Sequence, residues 1–230
     1  MAGVSRQQYA PEMKIINVMC TGRIDLAFVI RAFLKGADGV FVGGCYLGEC
    51  HYVTEGNYDA LSNSYITKKL LEHVGVNPNR LRIEWMSASE GTRFAEVMND
   101  FTAQLKEIGA LGKAEGIDKN ALSLKLEAIN KLIPYIKLVE RERLRLPVKS
   151  EEAYDEFFNS EEVNNLFNEL IIDKLTVSQI MLLLQERPFS TREISEFLEL
   201  NPSEVSKHMN SSSRQGLVRY DSNSKSYALA

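Results

Sequence analysis

The chain has 230 residues, 44% hydrophobic and 25% charged, a composition that excludes disordered, collagen-like and coiled-coil proteins. Its net charge of −4 argues against a protein that mainly coats nucleic acid. The longest apolar run, Leu26–Leu34, is broken by Arg31 and is too short for a membrane span, so no integral membrane segment or signal peptide is expected, while three cysteines suit a reducing cytoplasm better than a disulfide framework.

Charge divides the chain into three stretches: net −1 over 1–112, −4 over 113–173 and +1 over 174–230. These are the expected domains: an α/β domain, a helical linker or docking region, and a winged helix–turn–helix. All three cysteines and the single Trp lie in the first.

Lys14–Cys20 (KIINVMC) is apolar and rich in β-branched residues, which predicts a buried strand. Leu26, Val29, Ile30 and Phe33 recur at helical spacing, with Gly36 as the stop. Gly39–Cys45 predicts a second strand, Ile66, Leu70, Leu71 and Val74 a second helix, and Arg80–Met86 a third strand. Ser87 and Glu90 have capping-box spacing ahead of a helix bearing Phe94, Val97, Met98, Phe101, Leu105 and Ile108. Alternating strands and helices imply a small parallel sheet with flanking helices. Three strands make it thin, so a fourth is missing or comes from elsewhere.

The cysteines carry the main functional signal. Cys20 and Cys45 end predicted strands, and parallel strands place both ends on one sheet edge, where α/β folds hold ligands. Strands about 4.8 Å apart let the two thiols converge. Cys50 follows Cys45 as C-x4-C in the glycine-rich loop GGCYLGECHY. Thiolates select zinc, copper(I) or iron–sulfur clusters. Three buried free cysteines, or a zinc set of Cys20, Cys45, Cys50 and His51, fit the same spacing. Ser87 and Ser89 read as helix caps, and Tyr46, Tyr52 and Trp85 are candidates to line the site, with core packing the expected role of Trp85. No glycine-rich nucleotide loop or H-E-x-x-H motif is present, and no independent catalysis is expected.

Four motifs in order, MAGVSRQQYAP, INVMCTGRID, ADGVFVGGCYLGECHY with GNY after it, and RIEWMSASEGTRFAEVMNDF, resemble the delta (iron–sulfur) subunit family of methyl-viologen-reducing, F420-non-reducing hydrogenase over about residues 1–109. The resemblance implies a [2Fe–2S] cluster with Cys20, Cys45 and Cys50 as its cysteines. It implies an electron-transfer subunit linking a hydrogenase, formate dehydrogenase, NAD(P)H-oxidising or benzoyl-CoA-reductase-type partner to a heterodisulfide-reductase-like flavoprotein subunit. Family members carry a further strand and a C-x2-C pair, in some with selenocysteine, ahead of the stretch matched by Ala2–Arg6. Three thiolates are one short of four, so the expectation is that the true start lies upstream, which an intact mass of the native subunit tests.

In the middle stretch Leu122, Leu126, Ile129 and Ile133 share a helical face that Pro134 is expected to end, and Glu140–Arg145 reads as a solvated charged face. Pro147–Ser150 reads as a hinge. Beyond residue 174 a helix runs to Pro188. Ser190 with Glu193 forms a capping box, and Phe189 with Ile194 a hydrophobic staple. Asn201 and Pro202 open a third helix through Arg214, and Leu217–Tyr220 pairs with Ser226–Leu229 as a hairpin. This resembles the winged-helix domains of small bacterial and archaeal regulators. The third helix offers Lys207, His208, Asn210, Ser211, Ser212 and Arg214, but Glu193, Glu196, Glu199 and Glu204 surround it. Protein docking is therefore expected over nucleic-acid binding. The alternative function is a redox-sensing winged-helix transcription regulator.

Overall fold

The computed structural model describes residues 8–53 and 55–230. The Met1–Gln7 part of the first matching motif lies outside them. The described chain is α/β and forms two compact units that interleave in sequence. One takes the chain up to Ile117 together with Glu140–Asn165; the other takes Asp118–Val139 and Leu166–Ala230.

In the first unit, α1 (Leu26–Leu34) starts where Asp25 accepts the Ala27 N–H, 2.9 Å, and stops before Gly36, which turns the chain at φ +87°. Strand β1 (Val40–Gly44) pairs in parallel with β2 (Leu81–Trp85), in register from Val40 opposite Leu81 to Gly44 opposite Trp85. Between them, α2 (Asn57–His73) makes the crossover. Alternation in β1 sorts the two faces: Val42 lies with Leu26, Val29 and Ala60, while Phe41 meets Phe101 of α3 (Gly91–Ile108) with ring centroids 5.7 Å apart.

Two expectations fail here. Lys14–Cys20 is not a strand among the described residues, and the sheet has two strands rather than three. Ile16 and Met19 are 84% and 104% exposed. The segment has a strand's composition but pairs with neither open edge of the β1–β2 sheet, and strand structure needs such pairing. The capping box before α3 is also only half made. The Ser87 N–H donates to a Glu90 carboxylate oxygen, 2.6 Å, but Glu90 N–H donates to the Ser87 carbonyl, 3.0 Å, so Glu90 becomes the cap and the helix opens at Gly91.

The later part of this unit contains α5 (Glu151–Asn159), capped by Ser150 Oγ and packed on α2. Phe158 of α5 stacks on Tyr65 at 5.1 Å. Arg141, Glu142 and Arg143 are exposed, as a solvated face requires.

Helix α4 (Lys119–Arg143) continues through Pro134 instead of ending there. A proline removes one main-chain donor, but Ile133, Ile136 and Val139 on either side of it are buried, and that burial carries the helix onward. Helix α6 (Glu161–Phe167) passes through a π-turn, Asn168–Ile172, into α7 (Asp173–Glu186).

In the second unit, α7, α8 (Thr191–Leu198), α9 (Pro202–Arg214) and the hairpin of β3 (Val218–Asp221) and β4 (Ser226–Leu229) form the expected winged helix. The Ser190–Glu193 capping box is complete, and both Phe189 and Ile194 are buried in the core with Leu183, Val205 and Met209. Phe189 also exchanges two main-chain hydrogen bonds with Tyr227, 2.8 and 3.1 Å, tying the α7–α8 link to the wing. His208 and Ser212 are buried rather than presented on the outer face of α9. They fall on the same helical side as Val205 and Met209, which the core claims.

Candidate metal centre

The carboxyl edge of the two strands is built from three short pieces. Cys20 leads into a 3-10 turn, Thr21–Arg23; Cys45 follows the last residue of β1; and Cys50 sits in the loop before α2. Cys45 is exposed, Cys20 partly exposed and Cys50 buried, at 4%. Cys50 Sγ packs against Gly56, and the donors that bear on its thiol are the side chains of Cys45 and Cys20 and the main-chain N–H groups of Asn57 and Tyr52.

Burial by itself raises the Cys50 thiol, but these four donors outweigh it and hold Cys50 below the ordinary cysteine value. Cys45 moves the other way, raised by burial, by the bond it donates to Cys50 and by the charge Cys50 carries.

Backbone geometry makes the packing around Cys50 possible. A Cβ on Gly56 would lie 2.6 Å from Cys50 Sγ, and Gly56 has φ +58°, a region L side chains rarely adopt. A Cβ on Gly22 would lie 2.6 Å from Gly56 Cα, so the turn after Cys20 rests directly on the start of α2. Asn57, 0% exposed, then binds the other side: its Nδ2 donates to the carbonyls of Cys45, 3.1 Å, and Tyr46, 2.8 Å. Asn57 and Gly56 carry as much of the site as the cysteines. Their only sequence signal is the Gly-Asn-Tyr that follows the cysteine loop, which carries no spacing rule of its own.

The remaining predicted residues surround this group. His51 is exposed and packs edge-on against Tyr52, 5.1 Å between ring centroids. Tyr46 donates to both Glu90 carboxylate oxygens, 3.0 and 3.1 Å, and Ser87 Oγ pairs with Ser89 Oγ, 3.1 Å. The Ser87 N–H and the Tyr46 hydroxyl hold Glu90 below the usual carboxylate range. Trp85 lies beside Gly44, where an added Cβ would be 3.0 Å from its ring. Among the described residues no group of three or more His, Cys, Asp or Glu is posed around a common metal position, and no helix is long and apolar enough to cross a membrane.

Fold and site together define an α/β domain with a cysteine-bearing sheet edge, extended by a winged helix. Residues 1–109 match the family described as methyl-viologen-reducing hydrogenase, delta subunit, and residues 175–220 match bacterial regulatory protein, arsR family. Over 109 residues the chain is 50% identical to an F420-non-reducing hydrogenase iron-sulfur subunit of Archaeoglobus profundus, covering 47% of this chain and 79% of that protein. It is 44% identical over 118 residues to the iron-sulfur subunit of the vhc F420-non-reducing hydrogenase of Methanococcus voltae, covering 51% of this chain and 81% of that one. It is also 43% identical over 112 residues to one component of the ferredoxin/F(420)H(2)-dependent CoB-CoM heterodisulfide reductase of Methanosarcina acetivorans, a match that spans 49% of this chain but 14% of that protein. The chain belongs to the methyl-viologen-reducing hydrogenase delta-subunit family.

Proposed function

We propose that this chain is an electron-transfer subunit of a cytoplasmic redox complex, with Cys20, Cys45 and Cys50 as thiolate ligands of an iron–sulfur cluster of the [2Fe–2S] type. The observation that carries the reading is that Cys20, Cys45 and Cys50 all lie at the carboxyl edge of the sheet, with Cys50 buried against Gly56. The donor chemistry fits. Soft sulfur ligands lie along one edge, and glycine stands where a side chain would fill the space of the buried sulfur. Such a centre takes four ligands, so a fourth donor joins these three. The relatives named as hydrogenase iron-sulfur subunits and heterodisulfide reductase components support the reading. On this reading its partners are a heterodisulfide-reductase-like flavoprotein and an electron-donating or electron-accepting oxidoreductase.

When bound, the cluster supplies one-electron storage. The chain's own residues set its surroundings. The N–H groups of Asn57 and Tyr52 disperse negative charge on the Cys50 sulfur, and hydrogen bonds to ligating sulfur tune the potential. Anoxic purification of the native assembly, with iron, sulfide and component masses measured together, tests the proposal. Iron and sulfide co-purifying with a flavoprotein support it; an iron-free chain overturns it.

A second reading, a redox-responsive DNA-binding regulator, has one specific observation in its favour. Three of the four glutamates around α9 are engaged: Glu193 with Arg187, Glu196 with Arg192 and Glu199 with Lys125. Lys207, Asn210, Ser211 and Arg214 remain exposed. A gel shift on genomic fragments whose binding changes with oxidation and weakens with salt would select this reading.

A further inference from the structure

The segment beyond the family match does not merely follow the cysteine domain; its part Lys149–Phe158 is built onto the start of α2. Tyr58, the residue after Asn57, donates its hydroxyl to the Lys149 carbonyl at 2.8 Å. Its ring stacks on Tyr154 of α5, 5.7 Å between centroids at 29°. The Lys149 ammonium donates to the Tyr154 hydroxyl, 2.7 Å, and lies over both rings, 5.8 Å from Tyr58 and 5.3 Å from Tyr154. Tyr58 and Tyr154 are both buried. These contacts fall on the one turn of α2 whose Asn57 holds the Cys45 and Tyr46 carbonyls by its side chain, next to Gly56, where an added Cβ would lie 2.6 Å from Cys50 Sγ. Glu151 reaches the other flank of the same edge, accepting from Trp85 Nε1 at 3.5 Å.

We propose that Lys149–Phe158 is a positioning element for the sulfur site, acting through Tyr58 on Asn57 and thereby on Cys45 and Cys50. Residues 1–109 supply the thiols, and a segment outside that match sets how firmly they are held. The physical chain is short. Asn57 and Tyr58 are consecutive in the first turn of a helix, where main-chain N–H groups have no intrahelical partner and depend on what fixes the turn. Loosening Tyr58 lets that turn fray, withdraws the Asn57 donors and opens the buried Cys50 to solvent. The same segment touches α2 further along, through Tyr65 with Asp155, 3.0 Å, and the chain just after it reaches Lys69 through Asn164, 2.5 Å. Those contacts lie two and three turns from the cysteines and provide the internal control.

The proposal sharpens the iron–sulfur reading but is tested without relying on it. In the metal-free full-length chain, the alkylation rate of Cys50 by iodoacetamide is followed by peptide mass spectrometry for Tyr154→Ala, Tyr58→Phe and Lys69→Met. Tyr58→Phe removes one hydroxyl and keeps the ring, so it retains the fold even where Tyr154→Ala does not. Loss of one hydrogen bond changes a local opening equilibrium about five- to tenfold, so Cys50 alkylation rises by about that factor in Tyr58→Phe and further in Tyr154→Ala. It stays within about twofold of the parent in Lys69→Met, whose contact lies away from the sulfur. In iron-loaded protein the midpoint potential moves in the same two variants and not in Lys69→Met. A Cys50 rate in folded Tyr58→Phe that is unchanged or lower, or an equal rise in Lys69→Met, overturns the positioning role. Failure of all variants and parent to take up iron, with the alkylation pattern intact, would overturn the cluster reading and leave this one standing.

Discussion

Asn57 Nδ2 lies 3.1 Å from the carbonyl of Cys45 and 2.8 Å from that of Tyr46. One residue thus ties the start of the C-x4-C loop to the first turn of a helix, while its neighbour Gly56 packs against Cys50 Sγ. The Asn57 Oδ1 is buried without a hydrogen-bond partner among the described residues, so the side chain is oriented for its two donor bonds alone. Asn57→Ala removes both, at about 1–3 kcal/mol: the Cys45 carbonyl is left without this donor, while the Tyr46 carbonyl keeps the Glu49 N–H at 3.0 Å. The expected result is a lower urea midpoint and less iron bound per chain. Asn57→Asp, which cannot donate, behaves like the alanine; both are read by denaturation and by iron assay on anoxic protein.

Gly56→Ala acts on the same contact from the sterics side. The added methyl would sit 2.6 Å from Cys50 Sγ at a backbone angle that disfavours any side chain. Cys50 must move, so thiol titration of the metal-free protein should show Cys50 reacting faster, and iron uptake should fall. A variant that binds iron like the parent would contradict this geometry.

Arg80 is fully buried, and its Nε lies 2.7 Å from Glu115 Oε1, with Nη1 donating to the Asp38 carbonyl, 2.9 Å. Burial pushes the Glu115 carboxyl up, but Arg80 and the N–H groups of Gly112 and Asn77 pull it down further, leaving it below its ordinary value. Removing one member of such a pair strands the other charge. Arg80→Met is therefore expected to lose about 3–5 kcal/mol of stability. Adding Glu115→Gln should recover part of it, measured by a double-mutant cycle in urea.

Pro134 lies exposed inside α4. Proline costs about 3 kcal/mol relative to alanine in a helix interior. Pro134→Ala should raise stability by a sizeable fraction of that, seen as a higher denaturation midpoint with unchanged slope. No change would mean that the helix has already relaxed around the ring.

The capping box of α8 gives a pH dependence. The Ser190 N–H, the Ser190 hydroxyl and Arg187 hold Glu193 down at about 2, from an ordinary 4.5. The folded value is the lower one, so the stability Glu193 lends is complete above about pH 4.5 and is lost as pH falls toward about 2. Comparing melts of the parent and Glu193→Gln, the difference in Tm should be constant from neutral pH to about 5 and shrink below it. Ser190→Ala should cost about 1 kcal/mol at neutral pH.

The winged helix was legible residue by residue because its signals are local. Ser190 with Glu193 and Asn201 with Pro202 specify caps within four positions, and the structure completes each one. Apolar spacing likewise located α1, α2, β1 and β2. Lys14–Cys20 shows where local composition runs out, because seven apolar-rich residues become a strand only beside a partner edge. Pro134 shows the reverse, a local stop signal overruled by buried neighbours on both sides.

By itself, the chain of residues determined the alternation of helix and strand, the placement of three thiols in its first half and the grammar of the C-terminal helices. These rest on periodicity and on contacts between near neighbours. Only the tertiary structure decided that Cys50 is the buried sulfur of the three, that Gly56 and Asn57 shape the surroundings of the cysteine loop, and that Lys149–Phe158 returns to brace them. Those contacts join positions up to 91 residues apart. No short-range pattern encodes such a distance; it is set when packing brings two separately formed surfaces together.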